Sequence, residues 1–336
     1  MQTYLFTGAA GFIGSHTAYY FLAQSDCRIV ILDNLCTGFV ENVEFLQARF
    51  PNRVELVSGS FGDKVILKEI FSKQKMDAII HFAGSLVVSE SVFNPLKYYQ
   101  NNVANTLNLL EMVAEFKIKE FLFSSTAAVY GEPNTAQKIV EGTQTKPINP
   151  YGESKLMVEK ILRDFEVANP NFRSVILRYF NVAGALMAQK GLGQRSKNAT
   201  HLIKVACECA CGKREKMGIF GEDYATKDGT CIRDYIHIDD LANAHFESLK
   251  TLQQERVSQT YNVGYGVGFS VKEVIACVKK VSGVDFKVER EARRAGDPAM
   301  LVSENSKILS HTEWKPRYNN LEWICKSAYE WEKEMR

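Results

Sequence analysis

Short apolar runs alternate along the chain with longer stretches in which apolar positions return every three or four residues, the periods of buried strands and of helices packed on one face. The runs are Tyr4-Leu-Phe-Thr7, Arg28-Ile-Val-Ile-Leu32, Arg53-Val-Glu-Leu-Val57, Asp77-Ala-Ile-Ile-His81, Glu120-Phe-Leu-Phe-Ser124 and Ser174-Val-Ile-Leu-Arg178. Strands this apolar, each followed by a helical pattern, predict an α/β fold on a doubly wound parallel sheet. After Asn181 the alternation breaks into a Gly-, Gln- and Lys-containing loop from Gly184 to Thr200, which marks a domain boundary. The pattern predicts a first domain over residues 1–180, rejoined by about 235–263, and a smaller, discontinuous α/β domain over 181–336. No internal repeat or low-complexity tract is evident.

The first strand runs into Gly8-Ala-Ala-Gly11-Phe-Ile-Gly14, which opens a helix through Ser15, His16 and Thr17. Glycines there permit a tight turn and close approach of backbone to a pyrophosphate, while the helix start supplies free N–H groups and a positive dipole. Three glycines alone also make ordinary turns, and Gly-x-x-Gly-x-x-Gly is not the commonest spacing, so the context decides. The second strand ends in Asp33, nineteen residues after Gly14, where a carboxylate can accept hydrogen bonds from an adenosine ribose. It would repel a 2′-phosphate, and no arginine follows in Asn34-Leu-Cys-Thr-Gly38, so NAD is expected in preference to NADP.

Tyr151 and Lys155, in Tyr-Gly-Glu-Ser-Lys, stand four apart and so share one helix face. Such a pair is common on exposed helices, but beside a dinucleotide loop it reads as a base for removing a hydroxyl proton. A tyrosine titrates near 10, and bringing it near 7 takes about 4 kcal/mol of preferential phenolate stabilisation. A nearby ammonium supplies part, and a cationic nicotinamide ring more. Thr126, in Ser-Ser-Thr-Ala-Ala-Val-Tyr-Gly, is expected just past a strand's carboxyl end, with Tyr151 opening the next helix, so both face the crevice where such sheets bind ligands.

Composition narrows the partners. The chain has 336 residues, 46% apolar and 24% charged, with a net charge of +2. No basic cluster argues for nucleic acid, no apolar run is long enough to span a membrane, and Met1 leads directly into the first strand without room for a signal peptide. A cytoplasmic location is expected. The eight cysteines lack paired Cys-x-x-Cys spacing; Cys207, Cys209 and Cys211 read as small apolar fillers of a helix, and no metal is expected.

Dispersed segments resemble the extended short-chain dehydrogenase/reductases, and within them the UDP-glucose 4-epimerase family. They include Thr7 to His16, Ile31 to Asn34, His81-Phe-Ala-Gly84, Glu90-Ser91, Tyr98 to Val103, Tyr151 to Glu159, Leu177-Arg-Tyr-Phe-Asn181 and Arg233-Asp-Tyr-Ile-His237, over essentially the whole length. The resemblance implies a Rossmann-type domain and a UDP-sugar domain. It implies a cycle in which tyrosine takes the sugar's 4-hydroxyl proton while the C4 hydride passes to NAD, and the resulting 4-keto sugar turns over and receives the hydride on its other face. Tyr151 would be the base, Lys155 its electrostatic partner and ribose anchor, and Thr126 the hydroxyl that passes or orients the proton. Cofactor contacts are implied for Gly8, Gly11, Phe12, Ile13, Gly14, Asp33, Asn34, Ser60, Phe61, Phe82, Ala83, Gly84, Asn101, Ser124, Tyr151, Lys155 and Tyr179. The substrate falls to Thr126, Tyr151, Asn181, His201, Leu202, Phe220 and Tyr235, to the diphosphate-binding Arg233 and Arg294, to Asp297 near the uridine ribose, and to Leu301.

Relatives that eliminate water or decarboxylate carry an acid just after the Ser/Thr, where this chain has Ala127 and Ala128; return of hydride is therefore favoured over elimination. Leu86 stands where some members have a cofactor-touching lysine, and Ser60 where an acid often meets the adenine. Leu301, reached through Gly296-Asp-Pro-Ala-Met, stands where enzymes restricted to UDP-glucose and UDP-galactose carry tyrosine, so an N-acetyl group at C2 is expected to fit. The stretches Pro95–Phe116 and Tyr151–Asn169 resemble helices that pair across a two-fold axis, implying a homodimer. Other readings are a nucleotide-sugar dehydrogenase, reductase or dehydratase, and a non-catalytic NAD-binding regulator.

Overall fold

Six apolar runs form strands, in a computed structural model that describes residues 1–133, 138–188, 190–196, 199–294 and 297–335. Gln189, Lys197 and Asn198 of the boundary loop, and Gly296 before Leu301, lie outside the described residues. The strands are β1 (Gln2–Thr7), β2 (Cys27–Asp33), β3 (Val54–Ser58), β4 (Ala78–His81), β5 (Glu120–Thr126) and β6 (Arg173–Tyr179). Three short strands follow, β7 (Asn181–Ala183), β8 (Lys216–Phe220) and β9 (Ile232–His237), then β10 (Gln259–Val263), β11 (Gly268–Ser270), β12 (Lys287–Glu291) and β13 (Met300–Leu301).

The main sheet is wholly parallel, in the order β10-β6-β5-β4-β1-β2-β3. Connections run outward in one direction from β1 and in the other from β4, so a crevice opens at their carboxyl ends, where Thr7 pairs with His81. Burial on both faces explains the near-continuous hydrophobicity: all seven residues of β5 and all four of β4 are buried. One face packs on the helices Phe12–Gln24 and Ile238–Glu255 through Phe6, Phe21, Ile31 and Leu241. The other packs on Lys64–Lys73, Asn105–Glu115 and Pro150–Ala168 through Leu5, Leu67, Leu109 and Val158.

A second core, with Ile203, Cys207, Val274 and Ile324, lies between the helices Leu202–Ala210, Val271–Ser282 and Leu321–Glu334. Cys207 and Cys209 are buried there, and Cys211 is half-buried. The return to the main sheet differs from expectation in one respect. Tyr235 belongs to β9, which pairs with β7, β11 and β13 in a small separate sheet, and it is β10 that pairs with β6. Since those three short strands already satisfy β9's backbone, it has no need of the main sheet.

Candidate active site

At the crevice the chain leaves β1 through Gly8, whose φ of +74° is in the left-handed region that favours glycine. A Cβ at Gly8 would lie 2.6 Å from the Ala83 nitrogen, so the turn is pressed against the segment after β4. Gly11 caps the next helix, and the N–H groups of Phe12, Ile13 and Gly14 in its first turn have no partner within the helix. No acid occupies that turn, leaving its positive end for an external anion.

Asp33 is buried at the end of β2, and its carboxylate accepts the N–H of Ala10 at 3.0 Å and of Leu35 at 2.8 Å. Burial pushes the carboxyl up, and these backbone donors oppose it. Two of roughly four acceptor sites on a carboxylate are thereby used, and two can receive ribose hydroxyls. Asn34 turns inward on itself, its side chain accepting from Cys36 N at 3.2 Å, and the Ser60 hydroxyl accepts from Gly62 N at 3.2 Å. Phe61 is buried against His81, Phe82 is half-buried against His245, and Asn101 donates to Ser85 Oγ at 3.1 Å. Gly84 lies beside Asn102 and the Lys155 ammonium. The tight glycine turn, the uncontested helix start and the spare carboxylate acceptors fit a dinucleotide.

Thr126 is the last residue of β5, and Tyr151 the second of the helix Pro150–Ala168. That helix starts sharply: Asn149 accepts the Gly152 N–H at 2.9 Å, and Pro150 fixes the first turn. Gly152 lets it crowd the strand end, since a Cβ there would stand 2.7 Å from the Ala128 carbonyl oxygen. The Thr126 hydroxyl lies beside the Tyr151 phenol and acts to lower it, and Lys155, one turn on, donates to the Ser124 carbonyl at 2.9 Å. Tyr179, on the neighbouring strand, has its phenol beside Ser124, whose hydroxyl pairs with His245 Nε2 at 3.2 Å.

The electrostatics differ from the sequence expectation in one respect. Burial raises the Tyr151 phenol above its ordinary range, opposed by the Thr126 hydrogen bond. Lys155 is pushed down to about 8 by burial, opposed by Glu159. The protein's own groups thus keep the phenol protonated, because its desolvation outweighs what the lysine, engaged with a backbone carbonyl, gives back.

On the substrate side, β9 carries Arg233 and buried Tyr235, with Leu301 opposite Arg233 and Asn181 opposite Tyr235. Leu301 is buried with Ala127, Val129 and Leu156, which brings it to the Thr126 turn and the helix of Tyr151. Arg233 pairs with Asp297 at 3.0 Å, and exposed Arg294 lies with its guanidinium 3.7 Å from the Phe220 ring centroid. Asp297, expected near a ribose, therefore neutralises an arginine here. His201 is the N-cap residue of the helix that Leu202 begins, and its ring bonds Gln194 at 3.0 Å.

Two polar networks behind the site carried no sequence signal of their role. Asn102 accepts from Ser85 N at 2.7 Å and donates to the Ser85 carbonyl and Ser154 Oγ, both at 3.0 Å, tying the segment after β4 to the Tyr151 helix. Glu159 and Arg178 form a buried pair joining that helix to β6. Polar residues embedded in otherwise apolar stretches were the available clue.

The sheet order and the turn at the switch point define the class: a dinucleotide-binding α/β protein, with Thr126, Tyr151 and Lys155 gathered at the dinucleotide crevice. Residues 4–264 match the model of the NAD dependent epimerase/dehydratase family. The chain belongs to that family, and its cofactor is NAD. It is similar to UDP-glucose 4-epimerase of Azospirillum brasilense, 46% identical with 98% of this chain and 92% of that protein covered. Among solved structures it is similar to the UDP-Glc/GlcNAc 4-epimerase of Campylobacter jejuni, with 54% identity, 99% and 100% coverage and a TM-score of 0.86. The UDP-glucose 4-epimerase of Bifidobacterium longum in complex with NAD+ and UDP gives 35% identity, 99% coverage of each chain and a TM-score of 0.93.

Proposed function

We propose that the protein is a UDP-hexose 4-epimerase that interconverts UDP-glucose and UDP-galactose, and also their N-acetylated counterparts. The observation that carries this reading is the Tyr151 phenol beside the Thr126 hydroxyl, with Lys155 one turn along the helix and alanines at 127 and 128. Bound NAD supplies a hydride acceptor, and then a hydride donor, at the sugar C4. Tyr151 Oη takes the proton of the 4-hydroxyl and returns it, and Thr126 Oγ, able to donate and accept, relays or aligns that proton. Because burial favours the neutral phenol and the lysine alone does not reverse this, the step needs further positive charge beside Tyr151, which bound oxidised NAD would add to that of the Lys155 ammonium. With alanines rather than an acid just after Thr126, return of hydride to the 4-keto sugar is favoured over elimination.

In this reading residues 1–180, with the helix Ile238–Glu255 and β10, hold NAD through the contacts at Gly8, Gly11, Phe12, Ile13, Gly14 and Asp33, and the rest of 181–336 holds the UDP-sugar. Arg233 and Arg294 receive the diphosphate in bidentate fashion. Leu301 is the wall of the sugar pocket next to the Thr126 turn, and a leucine leaves room at C2 that a tyrosine would fill. The test is proton NMR of equimolar UDP-galactose and UDP-N-acetylgalactosamine with catalytic NAD. The wild type converts both, and Leu301→Tyr loses turnover of the N-acetylated sugar at least tenfold more than that of the plain one. Equal loss on both would count against the pocket assignment.

The protein is further proposed to act in the cytoplasm as a homodimer. All eight cysteines are free, a usage suited to a reducing compartment, and no helix among the described residues is long and apolar enough to cross a membrane. Val92, Phe93, Leu96 and Val167 are exposed large apolar side chains on helices near the Tyr151 helix or on it, and such a surface calls for a partner.

A further inference from the structure

Glu159 lies one turn beyond Lys155 on the catalytic helix and is fully buried. Its carboxylate accepts the Ser125 hydroxyl and a fork from Arg178, with Nε at 3.0 Å from one oxygen and Nη2 on the other. Both partners stand directly beside the site. Ser125 lies between Ser124, whose carbonyl holds the Lys155 ammonium, and Thr126, which meets Tyr151; Arg178 precedes Tyr179. Arg178 is itself buried, and its Nη1 also donates to Tyr130 Oη at 3.0 Å and the Glu141 carbonyl at 3.2 Å. One carboxylate therefore fixes the turn of the helix that bears Tyr151 and Lys155 against the ends of β5 and β6.

We infer that Glu159 is a positioning residue for the proposed reaction: through Ser125 and Arg178 it sets the catalytic helix on the strand ends, and its negative charge keeps Lys155 a cation. This rests on the epimerase reading. The titratable and charged groups around Lys155 are Tyr151 and Glu159 on its own helix, His81 on β4, Arg178 and Tyr179 on β6, and Tyr98 against Tyr151. His81 is neutral, pushed down to about 3 by burial with Lys155 adding to it, and burial raises the three tyrosines. The buried charges are thus two cations, Lys155 and Arg178, sharing one carboxylate, which the largely exposed Arg163 also approaches at 3.9 Å from the solvent side. Removal of that carboxylate leaves two desolvated cations without an anion, and the lysine is the one able to lose its proton.

The experiment follows NAD affinity by calorimetry, and kcat on UDP-galactose, from pH 6 to 10 in the full-length protein. In the wild type both fall with the Lys155 ammonium, near pH 8. Glu159→Gln moves that midpoint down by about one pH unit. Arg178→Met, leaving the carboxylate uncompensated, moves it up, and the double variant, which removes both charges, returns it toward the wild-type position. Since the double variant replaces the pair rather than breaking it, it is expected to fold even where Glu159→Gln alone does not. Unmoved midpoints in the variants, or variants that merely lose kcat uniformly across pH, would overturn the inference. A wild type that binds NAD with this pH dependence yet converts no UDP-hexose would overturn the epimerase reading instead.

Discussion

Lys155 is the residue at which function and stability oppose each other. Its ammonium is buried against the Ser124 carbonyl and the Phe123 ring, and burial lowers it from 10.5 to about 8. Between about pH 8 and 10.5 the unfolded chain binds more protons than the folded one, so stability rises with pH through that window, and the cost is fully present below pH 8. Lys155→Met should therefore abolish turnover yet raise the melting temperature of the cofactor-free protein by about 2 to 4 °C at pH 7. The difference should shrink as pH climbs from 8 toward 10.5, and a lower melting temperature at pH 7 would refute the argument. At this scale the gathering of Tyr151, Lys155 and Thr126 at the crevice was legible, because it follows from helix spacing and from a strand's carboxyl end. The sequence left Glu159 and Arg178 without a role, because nothing in one dimension says that a helix glutamate and a strand arginine meet.

Elements were legible where the apolar pattern is set by a buried sheet. Each of the six runs became a strand with ends displaced by two residues or fewer, and the extension of β5 to Thr126 brings the hydroxyl onto the strand itself. The three strands around β9 have two or three residues each and no pattern of their own; β9's backbone organises them. Asp234, buried within β9, illustrates how. Its carboxylate accepts from the N–H groups of Tyr265, Gly266 and Ser303, at 2.9, 2.9 and 3.1 Å, placing the turn after β10 and the chain just past Leu301. The helices Val88–Phe93 and Pro95–Tyr98 carry Phe93 and Leu96, which are 87% and 77% exposed, with Val167 at 85% near the end of the Tyr151 helix. Burying them across a two-fold axis predicts light scattering at twice the chain mass, and Phe93→Glu with Leu96→Glu should shift it to the monomer. A monomeric wild type at working concentration would contradict that assembly.

In the whole molecule, the cluster of Thr126, Tyr151 and Lys155 sits where the main sheet and the small sheet meet. Leu301 of the small sheet packs against Ala127 and Leu156, beside Thr126 and Lys155, and Ile139 N donates to the Val302 carbonyl at 2.8 Å. Asp240, beginning the helix after β9, accepts the Tyr265 hydroxyl at 2.6 Å and the N–H groups of Arg317 and Tyr318. The doubly wound architecture was legible from alternation alone, whereas this junction rests on side-chain bonds between distant segments. An intermediate oxidised at C4 has to be held there until it is reduced, so the account turns on the hydride never leaving the site. UDP-galactose carrying deuterium at C4, incubated with the protein and catalytic NAD, tests this most directly. The product should be UDP-glucose with the deuterium still at C4, with no net reduced cofactor and no conversion by Tyr151→Phe; protium at C4, or reduced cofactor accumulating in step with substrate loss, would rule out retention of the hydride.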